Sequence, residues 1–373
     1  MKRIISRLLA GLGLILVAAL IAVKLIHGSG DPYPSIATPP LVPGAERVIE
    51  LPYPPGMVAV GSDGRVFYTY HPFHRPQDHT DHLVFEWRDG DGVPVAPDVV
   101  ERLHGVFGIT VDAQGWLWLV RPGAMEGRPT EVLALDPDTG ALTFEFEFPG
   151  GSAGFAQDLR VTADGRHVIL ADTGLLRFTP AALIVLDTES RTFRTVLEAH
   201  ETTAPQNWVM RRTDGTPYRL GYGLVTFQVG VDGIEISADG AWLIYATMTH
   251  DSVYQVPTRL LLDPNTSDKD ISEAIERLGP APMSDGISLD ANGSVVITDV
   301  ENGGLAILRD GALQTLVQVD VIDWADSVAV APNGDIWFTD SRLTDLLGQF
   351  GQPSDAETMA NSAPFAIYRI KAE

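Results

Sequence analysis

Residues 285–299 read DGISLDANGSVVITD. A strand of alternating apolar residues runs to Asn292-Gly293, and a second, more apolar strand leads away from it. Asn-Gly and Asp-Gly are strong short hairpin signals, because Gly, Asn and Asp adopt positive φ at least cost. The same pattern recurs in Met57–Tyr70, Phe107–Val120, Asp158–Asp172, Asp232–Met248 and Asp326–Asp340. The turns are Asp63-Gly64, Gln114-Gly115, Asp164-Gly165, Asp239-Gly240, Asn292-Gly293 and Asn333-Gly334, spaced 51, 50, 75, 53 and 41 residues apart. A period near 50 holds four short strands and their loops, which is one propeller blade. The sequence therefore predicts an all-β chain forming a single six-bladed propeller. Strand-like runs between the hairpins, such as Glu131–Asp136, Ala182–Asp187 and Gly304–Arg309, supply outer strands. Phe365–Ile370 gives the last blade a third strand and Arg47–Leu51 its fourth, closing the ring and removing an edge.

Upstream of the hairpins lie two further segments. Lys2, Arg3 and Arg7 precede an uncharged run from Leu8 to Val23, followed by Lys24. The pattern is that of an export signal, and no small-x-small cleavage site follows the run. Residues 1–27 are thus expected to be an uncleaved signal anchor, with the basic end cytoplasmic and the body extracytoplasmic, or secreted if the signal is cut. Sixteen residues rise only about 24 Å as a helix, so the flanking Ile4, Ile5, Leu25 and Ile26 must extend the span. Residues 28–45, rich in Gly, Pro and Ser, are expected to form a flexible tether, and residues 46–373 the propeller.

Composition narrows the partners. With 49 acidic against 26 basic residues the net charge is -23, and only Lys2, Lys24, Lys269 and Lys371 are lysines, so nucleic acid is excluded as a partner. There is no cysteine, which removes disulfides, thiolate zinc sites and cysteine nucleophiles. No serine elbow, phosphate-binding glycine loop or His-Glu-x-x-His is present, and neither a nucleotide nor a flavin is expected. The body is expected to be monomeric and to meet the membrane only through its N-terminal helix.

Hairpin direction converts sequence position into place. All six glycine turns lie on one face of the disc, so strand starts and ends lie on the other. Starts carry Asp232, Asp285, Asp326 and the Gln157-Asp158 pair; ends carry Asp172, Asp299 and Asp340. These positions are expected to converge around one mouth of the central channel. Convergent carboxylates suit a hard cation such as calcium, or acid and base chemistry, while a single Asp at a strand start as often merely ends a loop. The long spacing before the fourth hairpin reveals about 25 extra residues, roughly Ala199 to Gly230, on the same face. As a lid, that segment would set Trp208, Arg211, Arg212, Tyr218, Arg219 and Tyr222 over the mouth. The stretch from His71 to His82 holds four histidines, but Pro72 and Pro76 deny it a helical face, which favours a solvated loop over a metal site.

Taken together, LHGVFGITVDAQGWLWLV (103–120), QDLRV with ILADTG (157–174), VDGIEISADGAWLIY (231–245), MSDGISLDANGSVVITDVEN (283–302) and DWADSVAVAPNGDIWFTD (323–340) resemble the bacterial branch of the yellow and major royal jelly protein family. The likeness runs from about Arg47 to Ser341. It implies a secreted six-bladed propeller that binds a small ligand in its channel. The wider group it is similar to, the gluconolactonase and regucalcin-like propellers, hydrolyses lactones with a channel calcium. By that resemblance Asp232 and Asp285 fall at metal-binding positions and Gln157-Asp158 at an Asn-Asp pair. The Glu those enzymes place before the first inner strand is replaced here by Tyr53-Pro54-Pro55-Gly56.

The leading expectation is a membrane-tethered propeller binding a small organic molecule, with Gln157, Asp172, Asp326 and Asp340 as ligand contacts. The alternative is a calcium-dependent lactone or ester hydrolase, with Asp232 and Asp285 on the ion and Asp158 or Asp299 as general base. A protein-interaction scaffold is the third reading.

Overall fold

The computed structural model describes residues 2–124 and 126–372. Met1 of the expected anchor and Glu373 of the expected propeller lie outside the described residues, as do the side chains of Lys2 and Arg3 from the basic cluster.

Six four-stranded antiparallel sheets form the blades. Each of the six predicted hairpins supplies a blade's two innermost strands, from Pro55–Val60 with Val66–Tyr70 in blade 1 to Ala325–Val330 with Ile336–Asp340 in blade 6. Short outer strands absent from the sequence reading, Asp91–Pro94 and Glu276–Pro280, complete blades 1 and 4. The ring closes as expected. Glu46–Leu51 is the outermost strand of blade 6, antiparallel to Phe365–Ile370 with Arg47 opposite Tyr368 and Leu51 opposite Phe365.

The hairpin turns work differently from the expected pair of positive-φ residues. Only the glycine takes positive φ, as at Gly64 (84°) and Gly293 (80°), while the residue before it does not. In four of the turns that residue accepts a backbone N–H two positions on, as Asp63 does from Arg65 at 3.0 Å and Asp239 from Ala241 at 3.0 Å. This is a type I turn followed by a left-handed glycine.

Packing is organised by blade interface. Leu133 and Leu135 meet Ile109 and Phe67 between blades 1 and 2, and Leu243 and Tyr245 meet Ile169 and Leu183 between blades 3 and 4. One further apolar cluster, containing Tyr33, Met210, Tyr218, Phe227 and Trp324, lies under the 199–230 segment rather than between blades.

The N-terminal helix runs Lys2–His27, and its apolar part Arg7–His27 would rise about 32 Å, enough to cross a bilayer core of roughly 30 Å. None of that part is buried in the body. Residues 28–45 do not hang as a flexible tether; the structure corrects that expectation. Asp31–Pro32 pairs in parallel with Trp208–Val209, Tyr33 is 3% exposed, and Thr38 and Thr315 exchange hydrogen bonds at 3.0 and 2.8 Å. The segment is a strap whose Pro and Gly residues shape an extended path along the body.

Candidate functional site

The channel ends of the inner strands are irregular, and this irregularity builds the site. Register shifts interrupt pairing between Pro55 and Val58, Ala156 and Asp158, Val231 and Ile234, and Ala325 and Val328. A bulge bends its strand and redirects the side chains it carries, here toward the axis. Freed N–H groups are taken up by a buried threonine near the end of the second strand. Thr69 accepts from Met57, Thr298 from Asp285 and Gly286, and Thr339 from Ser327. The sequence reading missed these threonines, although their signal is visible as the recurring Thr in FYTY, VITD and WFTD.

At this end of the channel is a cavity of about 200 Å³. Asp158, Asp232, Asp285, Asp326 and Gln157 line it, so five of the sequence-predicted positions are brought together. Above them the wall is apolar: Phe73, Phe107 and Phe155 on one side, Tyr218, Phe227 and Val229 of the 199–230 segment on the other. A second cavity of about 450 Å³ adjoins it, sharing Phe73, Phe107 and Phe155.

Asp172, Asp299 and Asp340 do not line either cavity, which corrects their expected places. Each stands at the end of a second strand, where the following loop offers N–H donors close by. Asp172 accepts from Gly174 at 3.0 Å, Asp299 from the Asn302 backbone and side-chain amides, and Asp340 from Trp324 and Arg342 at 3.0 and 3.1 Å. Burial nevertheless raises all three, Asp172 and Asp299 to about 6 and Asp340 to about 7.

The four acids on the cavity differ in kind. Asp158 is well satisfied: Oδ1 accepts from Leu159 N and, at 2.6 Å, from Arg160, while Oδ2 accepts from Ile234 N. Arg160 also pairs with Glu235 at 3.1 Å. Asp158 is therefore part of a buried ion-pair network, its carboxylate committed to Arg160 and two backbone N–H groups, which counts against its expected role as general base; Asp299 is away from the cavity.

The carboxyls of Asp232 and Asp285 lie beside one another, and the Trp324 indole N–H donates to Asp285 Oδ2. The Oδ2 of Asp232 is buried without a partner. Burial and then the proximity of other carboxylates push Asp232, Asp285 and Asp326 well above the ordinary carboxylate range, so this floor is held toward its neutral, proton-bearing form.

His71 closes the remaining side, with His74 packed behind it. They are 6% and 1% exposed, on a short 3-10 turn, where the sequence suggested a solvated loop. His71 Nδ1 accepts the Phe73 N–H, which leaves the ring proton on Nε2, 3.4 Å from Asp326 Oδ2. Burial lowers both rings, His71 with help from His74, and His74 to about 4, so neither is a cation at neutral pH.

The expected lid residues separate. Tyr218 is on the cavity wall, but Arg211 turns away to Glu301 and the Tyr33 carbonyl, Arg212 sits over the outer face of the Tyr218 ring at 5.6 Å, and Trp208 packs on Tyr33. The segment brings aromatic carbon over the acids rather than positive charge.

These donors do not suit calcium, which takes six to eight oxygens. Asp158 is neutralised by Arg160, an N–H faces Asp285, the stretch Tyr53-Pro54-Pro55-Gly56 offers no carboxylate before the first inner strand, and among the described residues no three His, Asp or Glu side chains are grouped as metal ligands.

A family model described as major royal jelly protein matches residues 104–315. No curated protein matches the chain significantly. Among solved structures the chain is similar to a gluconolactonase from Xanthomonas campestris, at 15% identity over 84% of this chain and 96% of that one, with a TM-score of 0.52. It is similar also to a calcium-binding protein, regucalcin, from Agrobacterium tumefaciens, at 13% identity over 89% and 95%, with a TM-score of 0.53. At these identities the likeness is one of fold.

Proposed function

Starting from a chain that belongs to the major royal jelly protein family, we propose that it is a membrane-tethered, extracytoplasmic propeller that binds a small, uncharged organic molecule in the cavity at its channel mouth. One observation carries this reading: an apolar, largely aromatic cavity whose floor is three buried carboxyl groups held toward neutrality, with Asp232 Oδ2 unpartnered. An apolar wall with a few convergent polar groups is what a small-molecule site requires. A protonated carboxyl can donate to a carbonyl or hydroxyl oxygen, whereas an anionic ligand would meet four acids, with no Lys or Arg among the described residues that line the cavity. The apolar helix Arg7–His27 supports the tether.

A thermal-shift panel on the full chain in detergent tests this, comparing uncharged and anionic compounds of similar size. Uncharged oxygen-bearing compounds should raise the melting temperature, and Leu347→Trp, which fills the cavity from its wall, should abolish the rise. Equal stabilisation of both proteins, or of anions, would count against the reading.

Ester or lactone hydrolysis is the second reading, favoured by the adjacency of the Asp232 and Asp285 carboxyls, which would let one act as acid and the other as base. Its mark would be turnover of a lactone panel that Asp285→Asn abolishes. Calcium has a place in neither reading, given the donors described above.

A further inference from the structure

We infer that the cavity mouth is seated on the outer surface of the bilayer that the N-terminal helix enters, and that its ligand is an amphiphile with an uncharged polar end, taken from the lipid. The inference deepens the ligand-binding reading and rests on the tether being a membrane anchor.

The position of the helix end carries it. The helix does not leave the body at an arbitrary point but beside the cavity mouth. Lys24 Nζ bonds the carbonyl of Gly223, the His27 ring stacks on Phe178 at 4.0 Å, and Gly28 packs so closely that a Cβ there would lie 2.6 Å from Leu224 O. The strap that follows is bound to the body by the Asp31–Trp208 pairing and by buried Tyr33. The last turn of the membrane-crossing segment is thus fixed level with the rim of the mouth.

The rim itself is made of three loops. Residues 175–178 read LLRF, 219–224 read RLGYGL and 346–351 read LLGQFG. Leu175, Leu176, Leu220, Leu347 and Phe350 line the cavity. Two of the loops are joined to one another: Gly221 N donates to Gln349 O at 2.6 Å, and the Tyr222 and Phe350 rings meet at 5.8 Å. Phe178, Tyr222 and Phe350 are 49%, 84% and 73% exposed. In a chain of net charge -23 these sixteen residues include no acid and two arginines, Arg177 and Arg219. Exposed aromatics with arginines at the level of a helix end are the composition of a membrane interface, and a contiguous apolar patch of this kind marks a contact surface. The anchor supplies the bilayer, so no separate protein partner is needed to cover the patch. An amphiphile dissolved in that bilayer could pass between the rim loops without crossing water, its polar end reaching the carboxyl floor.

The chain has no cysteine, so single labels can be placed cleanly. The full chain carrying Tyr222→Cys, Phe350→Cys or, on the opposite face, Asn292→Cys would be fluorophore-labelled and placed in phosphatidylcholine nanodiscs containing spin-labelled lipid. Quenching about threefold stronger at 222 and 350 than at 292 is expected. Bromoundecanol added to the same discs should quench the Trp324 component of the emission, obtained by difference from Trp324→Phe, and bromoundecanoate should not. Equal quenching at 222, 350 and 292, or no Trp324 response to bromoundecanol delivered in lipid, would overturn the inference. Release of the chain from membranes by alkaline carbonate would overturn the anchor and this inference together. Retention with unquenched rim labels would overturn this inference alone, and the thermal-shift panel in detergent is unaffected by either result.

Discussion

Asp340 offers a direct test of the division between cavity acids and loop acids. Its carboxyl is 5% exposed and is raised from about 3.8 to about 7, first by burial, with Asp323 adding to the effect and Arg342 opposing it. A folded pKa above the unfolded one means that the native state binds the proton more tightly. Its contribution to stability is therefore fully present below pH 3.8, declines between about 4 and 7, and is absent above 7. Three units at about 1.36 kcal/mol each amount to roughly 4 kcal/mol of stability lost across that window, as an order of magnitude. Both backbone N–H groups bond Oδ1, so Asp340→Asn can keep them while removing the titration. Denaturant unfolding of the full chain in detergent at pH 4, 6 and 8 should show the variant gaining on the wild type steadily, by up to about 4 kcal/mol at pH 8, with ligand affinity unchanged. A difference that does not vary with pH would refute the burial argument. A large loss of ligand affinity would return Asp340 to the site.

Asp158→Ala should cost about 3–5 kcal/mol, because Arg160 keeps Glu235 but loses its closer partner and two buried N–H groups lose an acceptor; a change under about 1 kcal/mol by the same unfolding assay would contradict the network. Millimolar calcium, or its removal by chelator, should move the melting temperature by no more than about 1 °C, whereas a ligand at a hundred times its Kd would add about 2.7 kcal/mol of stability. A clear calcium-dependent rise would show that the carboxyl floor rearranges around the ion. Tyr33→Ala should cost about 3–5 kcal/mol through the lost ring and its hydroxyl bond to the Ala281 carbonyl, and limited proteolysis should then cut within residues 28–45; an uncut strap would show that the strand pairing suffices.

The propeller was legible because its signals are local and repeated: six glycine turns at a propeller period, and two terminal strands that only ring closure could pair. The floor of the site was legible for a related reason, since Asp232, Asp285 and Asp326 occupy one register at the inner strand starts. Asp172, Asp299 and Asp340 share a register too, but register does not say where a carboxyl turns, and the N–H groups of the next loop claim them. Phe107 and Phe155 stand at strand starts and could have been read as wall residues by the argument that found Asp232. Tyr33 could not: a lone tyrosine among prolines and glycines looks solvated until the surface that receives it has been assembled. Arg211 misled for the same reason, its partner Glu301 lying in another blade.

The pairing of Glu46–Leu51 with Phe365–Ile370 also sets a timetable. Contacts such as Arg369 to Glu46 span 323 residues, and the entropic cost of such a span grows only with the logarithm of its length. Delay is the larger consequence. At about 5–20 residues per second, the first strand emerges roughly 16–65 s before its partner exists. Throughout that wait it is an unpaired edge on an incomplete body, open to other chains. Its sequence, ERVIEL, is suited to the interval, since Glu46, Arg47 and Glu50 interrupt the apolar residues and discourage a second copy from taking the place of the strand still to come.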